Sequence, residues 1–167
     1  MSDVRNYCPL CKNPVTKFMP LPEYYRECSD RYGFAYYGKA EMTAESTYSC
    51  SHCGCSDRER LYAYWLEQAF SEGRLKQGMK AVHFAPEPVL SQVIRNSNLF
   101  DYSTADLMMP NADYKLDILD MPFPDGMFDF FICSHVLEHV AHDAVAIKEL
   151  YRTTKRGGCG ILMAPII

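Results

Sequence analysis

At 167 residues the chain allows one ordinary domain, or a small module joined to part of a larger one, and its 48% apolar and 23% charged content is that of a globular protein able to bury a core. The formal net charge of −4 sits in the second half: residues 1–78 hold ten basic and ten acidic side chains, residues 79–167 seven and eleven. That balance offers no broad basic face to a phosphate backbone and makes nucleic acid the less favoured partner. No apolar run approaches membrane-spanning length, and the start, MSDVRNYCPLC, is not a signal peptide, so a cytoplasmic protein without a membrane partner is expected.

Eight cysteines without an export signal point to metal rather than to a disulfide framework. Cys8-Pro-Leu-Cys11 and Cys50-Ser-His-Cys53 are two C-x-x-C knuckles about 38 residues apart. Together they complete a tetrahedral four-thiolate site of the kind zinc favours. Four thiolates leave no open coordination position, so the zinc is read as structural. Cys55 and His52 crowd the second knuckle as alternative ligands, but the spacing favours Cys50 and Cys53. Cys28 reads as an ordinary buried thiol. The loop between the knuckles holds Tyr24, Tyr25, Tyr32, Tyr36, Tyr37 and Tyr48. It is read as a hairpin plus an excursion, with a small aromatic core around the metal. This zinc-ribbon module takes residues 1–56.

Ser56 with Glu59 three residues later is a capping box. It predicts a helix to about Phe70, with Leu61, Tyr64, Trp65, Gln68 and Ala69 on one face. The linking segment is 57–78. Arg58 and Arg60 lie on a solvated face with local ion pairs, or reach toward an anionic group. Met79–Ala85 reads as a strand and Val89–Ser97 as a short helix. A second strand, Tyr102–Ala105, ends at Asp106, and Lys115–Leu119 is a third strand or its end. Asp125-Gly126 makes a turn before Phe128–Cys133, an apolar run with one acid, Asp129, suited to a buried parallel strand. Val136, Leu137, Val140, Ala144, Val145, Ile147 and Leu150 then recur at roughly helical spacing. Lys155, Arg156 and Gly157-Gly158 give a helix stop, and Gly160–Met163 the next strand. This is a right-handed βαβ unit. Ser134 and His135 fall at the carboxyl end of its first strand, where open α/β sheets bind ligands. His135, Glu138 and His139 spell H-x-x-E-H, but a zinc-protease reading is rejected, because the residues follow a strand and lack a third ligand. Glu138 and His139 are read as structural.

The string D-I-x-D-M-P-F-P-D-G-x-F-D…S-H-V-L-E-H-V…E-L-Y-R…K-R-G-G…P resembles the second half of the class I S-adenosylmethionine-dependent methyltransferases. The phrase C-x-C-S-D-R-E-R-L resembles their subgroup with an N-terminal zinc ribbon. The resemblance implies an α/β, Rossmann-like sheet over residues 79–167, lacking the last two strands of the family fold. In the family the first strand ends in an acid and a G-x-G-x-G loop. Here His83 stands at the acid, and Ala85, Glu87 and Val89 at the glycines; the H-F-A-P-E loop resembles that of the subgroup. The resemblance implies a cofactor site of Ala85, Pro86, Glu87, Asp106, Asp117, Ile118, Leu119, Ser134 and His135. Ala85 allows close approach, Glu87 takes the amino group, and Asp106 accepts from the ribose. Asp117 accepts from the adenine amino group, Ile118 and Leu119 flank the ring, and Ser134 and His135 lie near the sulfonium. His135 is the candidate base.

The expected activity is methyl transfer from S-adenosylmethionine to an unidentified acceptor, with a small molecule favoured and a structural Zn²⁺. A non-catalytic zinc-containing scaffold on a degenerate methyltransferase fold is the alternative, and rRNA methylation a weaker one. An uncovered fifth strand predicts self-association through its edge.

Overall fold

The computed structural model describes residues 6–34, 37 and 44–165. The chain divides into two compact units, 1–68 with 165–167, and 69–164.

In the first unit β1 (Asn6–Tyr7) pairs antiparallel with β2 (Pro14–Val15), and the turn between them carries Cys8 and Cys11. Single bridges, Met19 to Ser49 and Ser49 to Ser56, set the second knuckle beside it. The excursion contains α1 (Glu23–Tyr32), closed by Gly33 at φ +65°. Among the described tyrosines expected in an aromatic core around the metal, Tyr24, Tyr25 and Tyr32 are exposed and Tyr37 and Tyr48 only partly buried. Tyr36 lies outside the described residues. Helix α2 (Asp57–Ser71) starts with the predicted capping box, the Glu59 N–H on Ser56 Oγ (3.3 Å) and the Ser56 N–H on Glu59 Oε2 (2.7 Å). Its inward face is Tyr62, Ala63, Leu66 and Ala69, whereas Leu61 and Tyr64 are exposed. Arg60 is half-buried rather than on a solvated face. Its guanidinium donates to the carbonyls of Thr47, Tyr48 and Cys55 and lies 4.0 Å over the Phe18 ring.

The second unit is a sheet of five parallel strands in the order β5-β4-β3-β6-β7. They are β3 (Met79–Phe84), β4 (Phe100–Asp106), β5 (Tyr114–Lys115), β6 (Phe128–Ser134) and β7 (Thr154–Met163). Two helices connect them, α3 (Pro88–Ser97) and α4 (Asp143–Thr153). This is the Rossmann-like α/β architecture. The chain builds outward from β3 to one edge, then returns to place β6 on the other side of β3. The crevice at this reversal is where such sheets bind ligands.

The apolar run at Phe128 is the interior strand β6, between β3 and β7, with Phe128, Phe130, Ile132, Cys133 and Ser134 buried. Its one acid is explained by its partners: Asp129 accepts from the Lys80 N–H and pairs with the Lys155 ammonium, each at 2.8 Å. β5 is shorter than predicted, so Asp117, Ile118 and Leu119 lie in the turn after it. The helix after β6 begins late. His135 at φ +53° turns the chain, a 3-10 turn covers Leu137–His139, and α4 starts at Asp143. The buried face of α4 is Ala146, Leu150 and Thr153, while Val145 and Ile147 are exposed. β7 starts six residues earlier than read, and the Lys155–Gly158 segment forms a bulge in it, since Phe128 pairs with Thr154 but Phe130 with Cys159.

Two glycines are fixed by space. A Cβ on Gly160 would lie 2.4 Å from the Phe131 ring, and one on Gly158 would lie 2.8 Å from the Asp129 carbonyl oxygen. Gly160→Ala is expected to cost about 1–2 kcal/mol because the half-buried ring can yield. Gly158→Ala is expected to cost more, about 3 kcal/mol, because backbone cannot. Denaturant unfolding of the two variants checks the ranking.

Glu149 and Arg152, from the E-L-Y-R string, clamp the loop before β6. Arg152 donates to the carbonyls of Met121 (3.0 Å) and Phe123 (2.7 Å), and Glu149 accepts the Met121 N–H (2.9 Å). The two side chains pair at 2.7 Å. The hydrogen bond from Arg152 holds the Glu149 carboxyl below its ordinary range. A depressed carboxyl stabilises the fold above its unfolded pKa of about 4.3, and that contribution is lost as pH falls through the folded value. Thermal melts are therefore expected to show a stability loss below about pH 4 that is shallower in Glu149→Gln.

Candidate functional site

A cavity of about 300 Å³ opens at the carboxyl ends of β3, β4 and β6. It brings together Ala85, Asp106, Asp117, Ile118 and His135, five of the nine residues expected around the cofactor. Its apolar walls include Phe84, Leu107, Met108, Leu116, Val136 and Val140. Two non-glycine residues in left-handed conformation stand at the ends of adjacent strands, Ala85 (φ +47°) after β3 and His135 (φ +53°) after β6. Each first completes the sheet, Ala85 N–H on Ala105 O (3.0 Å) and His135 N–H on Met163 O (2.9 Å), before the chain turns away. Such a conformation costs about 1–2 kcal/mol per residue and clusters at ligand sites. Ala85 thus adopts the backbone that a glycine loop would supply.

The two carboxylates are held by backbone. Asp106 Oδ1 accepts the N–H groups of Met108 (2.7 Å) and Met109 (2.6 Å), and Asp117 Oδ1 accepts that of Leu119 (2.9 Å). In each, the second oxygen has no hydrogen-bond partner among the described residues and is free to receive a donor. His135 Nδ1 lies 2.7 Å from Glu138 Oε1, and Nε2 is buried with no partner. His139 reaches the cavity wall separately. The only group of metal-ligating side chains found close together among the described residues is made of cysteines.

The other four expected residues do not line the cavity. Pro86 is buried in the loop, and Leu119 packs against the core. Glu87 stands at the N-cap position of α3, where its carboxylate accepts from His83 Nε2 at 2.8 Å rather than from the helix N–H groups. The buried Ser134 hydroxyl also hydrogen-bonds Glu87. Burial would raise the Glu87 carboxyl, but these donors win and hold it below its ordinary range. The wall residues Leu107, Met108 and Val136 were not legible as site residues. They are ordinary apolar side chains whose role comes from following a strand end.

The Sγ atoms of Cys8, Cys11, Cys50 and Cys53 all lie within 4.8 Å of one another. Cys8 to Cys53 is 3.8 Å and Cys11 to Cys50 3.9 Å. A tetrahedron with metal–sulfur bonds of about 2.3 Å has edges of about 3.8 Å, so the set fits one zinc-sized ion. The two knuckles share one backbone pattern. The residue after the second cysteine is left-handed, Lys12 (φ +58°) and Gly54 (φ +74°), and returns its N–H to the first cysteine's carbonyl at 2.9 Å. The first cysteine's own N–H then meets the carbonyl of Asn13 in one knuckle and of Cys55 in the other. Cys55 is therefore the counterpart of Asn13 and lies outside the four-thiol set, although its sulfur is 3.5 Å from that of Cys8. His52 is exposed and contributes its backbone N–H to Cys50 Sγ. Burial pushes the Cys53 thiol up to about 12. Desolvation also raises Cys11, but hydrogen bonds from Asn13 bring it down to about 7. Thiolates packed this tightly need a cation.

Residues 82–162 match the methyltransferase domain family. Ajmaline N-methyltransferase of Rauvolfia serpentina is 36% identical over 50 residues, which are 30% of this chain and 17% of that protein. Among solved structures, the chain is similar to a SAM-dependent methyltransferase from Aquifex aeolicus, with 19% identity and a TM-score of 0.40, covering 53% of this chain and 57% of that one. It is also similar to a protein of Methanococcus maripaludis described as an S-adenosyl-L-methionine-dependent methyltransferase, with 17% identity and a TM-score of 0.47, covering 59% and 53%. The chain thus spans about half the length of these structures. Residues 82–162, which match the methyltransferase domain family, thus carry a Rossmann-like parallel sheet with its cavity at the strand reversal.

Proposed function

We propose that the protein transfers a methyl group from S-adenosylmethionine to a small-molecule acceptor. The observation that carries this is the cavity at the ends of β3, β4 and β6, with apolar walls and two carboxylates, each keeping one oxygen unengaged. The bound cofactor supplies an electrophilic methyl group on a sulfonium. Asp106 accepts hydrogen bonds from the ribose hydroxyls and Asp117 from the adenine amino group. Ile118 and its neighbour Leu116 supply apolar contact for the ring, and Ala85 lets the backbone approach. Glu87 receives the amino group, steadied by Ser134, beside Pro86.

His135 is the candidate base. Glu138 holds Nδ1, which leaves the Nε2 lone pair as the proton acceptor. Because that atom is covered, a proton reaches it only after the ring or its cover moves. Methyl transfer depends mainly on alignment, so a base matters only for an acceptor that carries a proton. In the first unit, Zn²⁺ on Cys8, Cys11, Cys50 and Cys53 is structural, since four thiolates fill its coordination.

Charge supports a small-molecule acceptor over a phosphate backbone: the residues lining the cavity include no lysine or arginine. The test uses cofactor carrying a tritiated methyl group, incubated with protein and either a metabolite extract or total RNA. Label is expected in the small-molecule fraction, and label in RNA alone would overturn the acceptor class.

A further inference from the structure

His83 is 0% exposed at the end of β3, and both its ring nitrogens are engaged. Nδ1 lies 2.8 Å from the Tyr102 hydroxyl and Nε2 2.8 Å from Glu87 Oε2. Behind Tyr102, the Ser91 hydroxyl bonds to the phenol oxygen. On the far side, the Ser134 hydroxyl bonds to Glu87. One set of protons satisfies the whole chain. In that set Ser91 donates to Tyr102, Tyr102 donates to Nδ1, His83 donates from Nε2 to Glu87, and Ser134 donates to the same carboxylate. Every donor points toward Glu87.

The members come from three adjacent strands, Tyr102 on β4, His83 on β3 and Ser134 on β6, at the reversal where open sheets bind ligands. Glu87 is where the chain meets solvent, with its side chain 17% exposed. Among the described residues no lysine or arginine pairs with it, and its partners are the His83 ring and the Ser134 hydroxyl. A buried carboxylate held this way is costly unless a cation completes it. The His83–Glu87 contact also brackets Ala85, whose left-handed backbone forms part of the cavity wall.

We propose that His83 is a positioning residue that aims Glu87 at the ammonium group of a ligand seated at the strand reversal. This rests on the cofactor reading above, in which that ammonium belongs to the amino-acid end of the cofactor. Tyr102 acts one step further back, by fixing the imidazole ring.

The test compares S-adenosylhomocysteine with 5′-methylthioadenosine, which keeps the nucleoside and the sulfur but has no amino-acid end. Calorimetric titrations are run on wild type, Glu87→Gln, His83→Leu, His83→Gln and Tyr102→Phe. Glu87→Gln and His83→Leu are expected to weaken S-adenosylhomocysteine about tenfold, with methylthioadenosine changed less than twofold. His83→Gln, which keeps a donor toward Glu87, is expected to recover part of the loss. Tyr102→Phe, which keeps the ring volume, is expected to weaken S-adenosylhomocysteine two- to fourfold and serves if His83→Leu does not fold. Equal loss of both ligands in the variants would mean that the network only supports the loop, and no loss of either would remove its role; each overturns the proposal while leaving the cofactor reading intact. A wild type that binds neither ligand overturns both.

Discussion

Stripping the metal, or replacing Cys50 with serine, is expected to unfold the cysteine-centred unit. Among its described residues the apolar core is slight: besides cysteines, Leu10, Val15, Tyr62, Ala63 and Leu66 are the buried apolar residues. A core of that size does not hold a module of this length by itself. On the proposed zinc site, four thiolates on one ion would contribute on the order of 10–16 kcal/mol of coupled binding and folding. Arg60, stitched to the carbonyls of Thr47, Tyr48 and Cys55, cannot replace it. Hydrogen exchange read by mass spectrometry, with and without chelator, checks this. Residues 6–34 and 44–56 should lose protection with chelator while β3, β4 and β6 keep it. Unchanged protection after verified metal loss would contradict a structural metal.

The second large effect is expected at the cavity carboxylates. Asp117→Ala removes an acceptor that the backbone of Leu119 holds in place, and each hydrogen bond to a charged group is worth about 1.5–3 kcal/mol. Cofactor binding should weaken about tenfold or more. Asp106→Ala should cost about a hundredfold, because a carboxylate that accepts from two ribose hydroxyls loses both. It also frees the N–H groups of Met108 and Met109, which line or adjoin the cavity. A melting curve on each variant separates lost binding from lost structure.

What the sequence showed directly were features with a local cause. The knuckles, the capping box at Ser56, the turn at Asp125-Gly126 and the buried strand at Phe128 are each set by residues within a few positions of one another. The Rossmann-like sheet followed from strand and helix alternation together with the family string. What escaped depended on partners far along the chain. Helix α1 is polar overall and its tyrosines face solvent, so apolar pattern could not find it. The faces of α2 and α4 were misassigned because exposed Leu61, Val145 and Ile147 look like core residues until the packing is known. Nor could spacing show that His83 meets Tyr102, or that Arg152 holds the carbonyls of Met121 and Phe123. At the site, the carboxylates Asp106 and Asp117 were legible from the resemblance, and the apolar wall was not.

The most direct measurement is calorimetric titration of the zinc-loaded protein with S-adenosylhomocysteine, on wild type and on Asp117→Ala. Micromolar binding by wild type, weakened at least tenfold by the substitution, is the predicted result. A folded, zinc-loaded wild type that binds neither S-adenosylhomocysteine nor S-adenosylmethionine would contradict the assignment of this cavity to the cofactor.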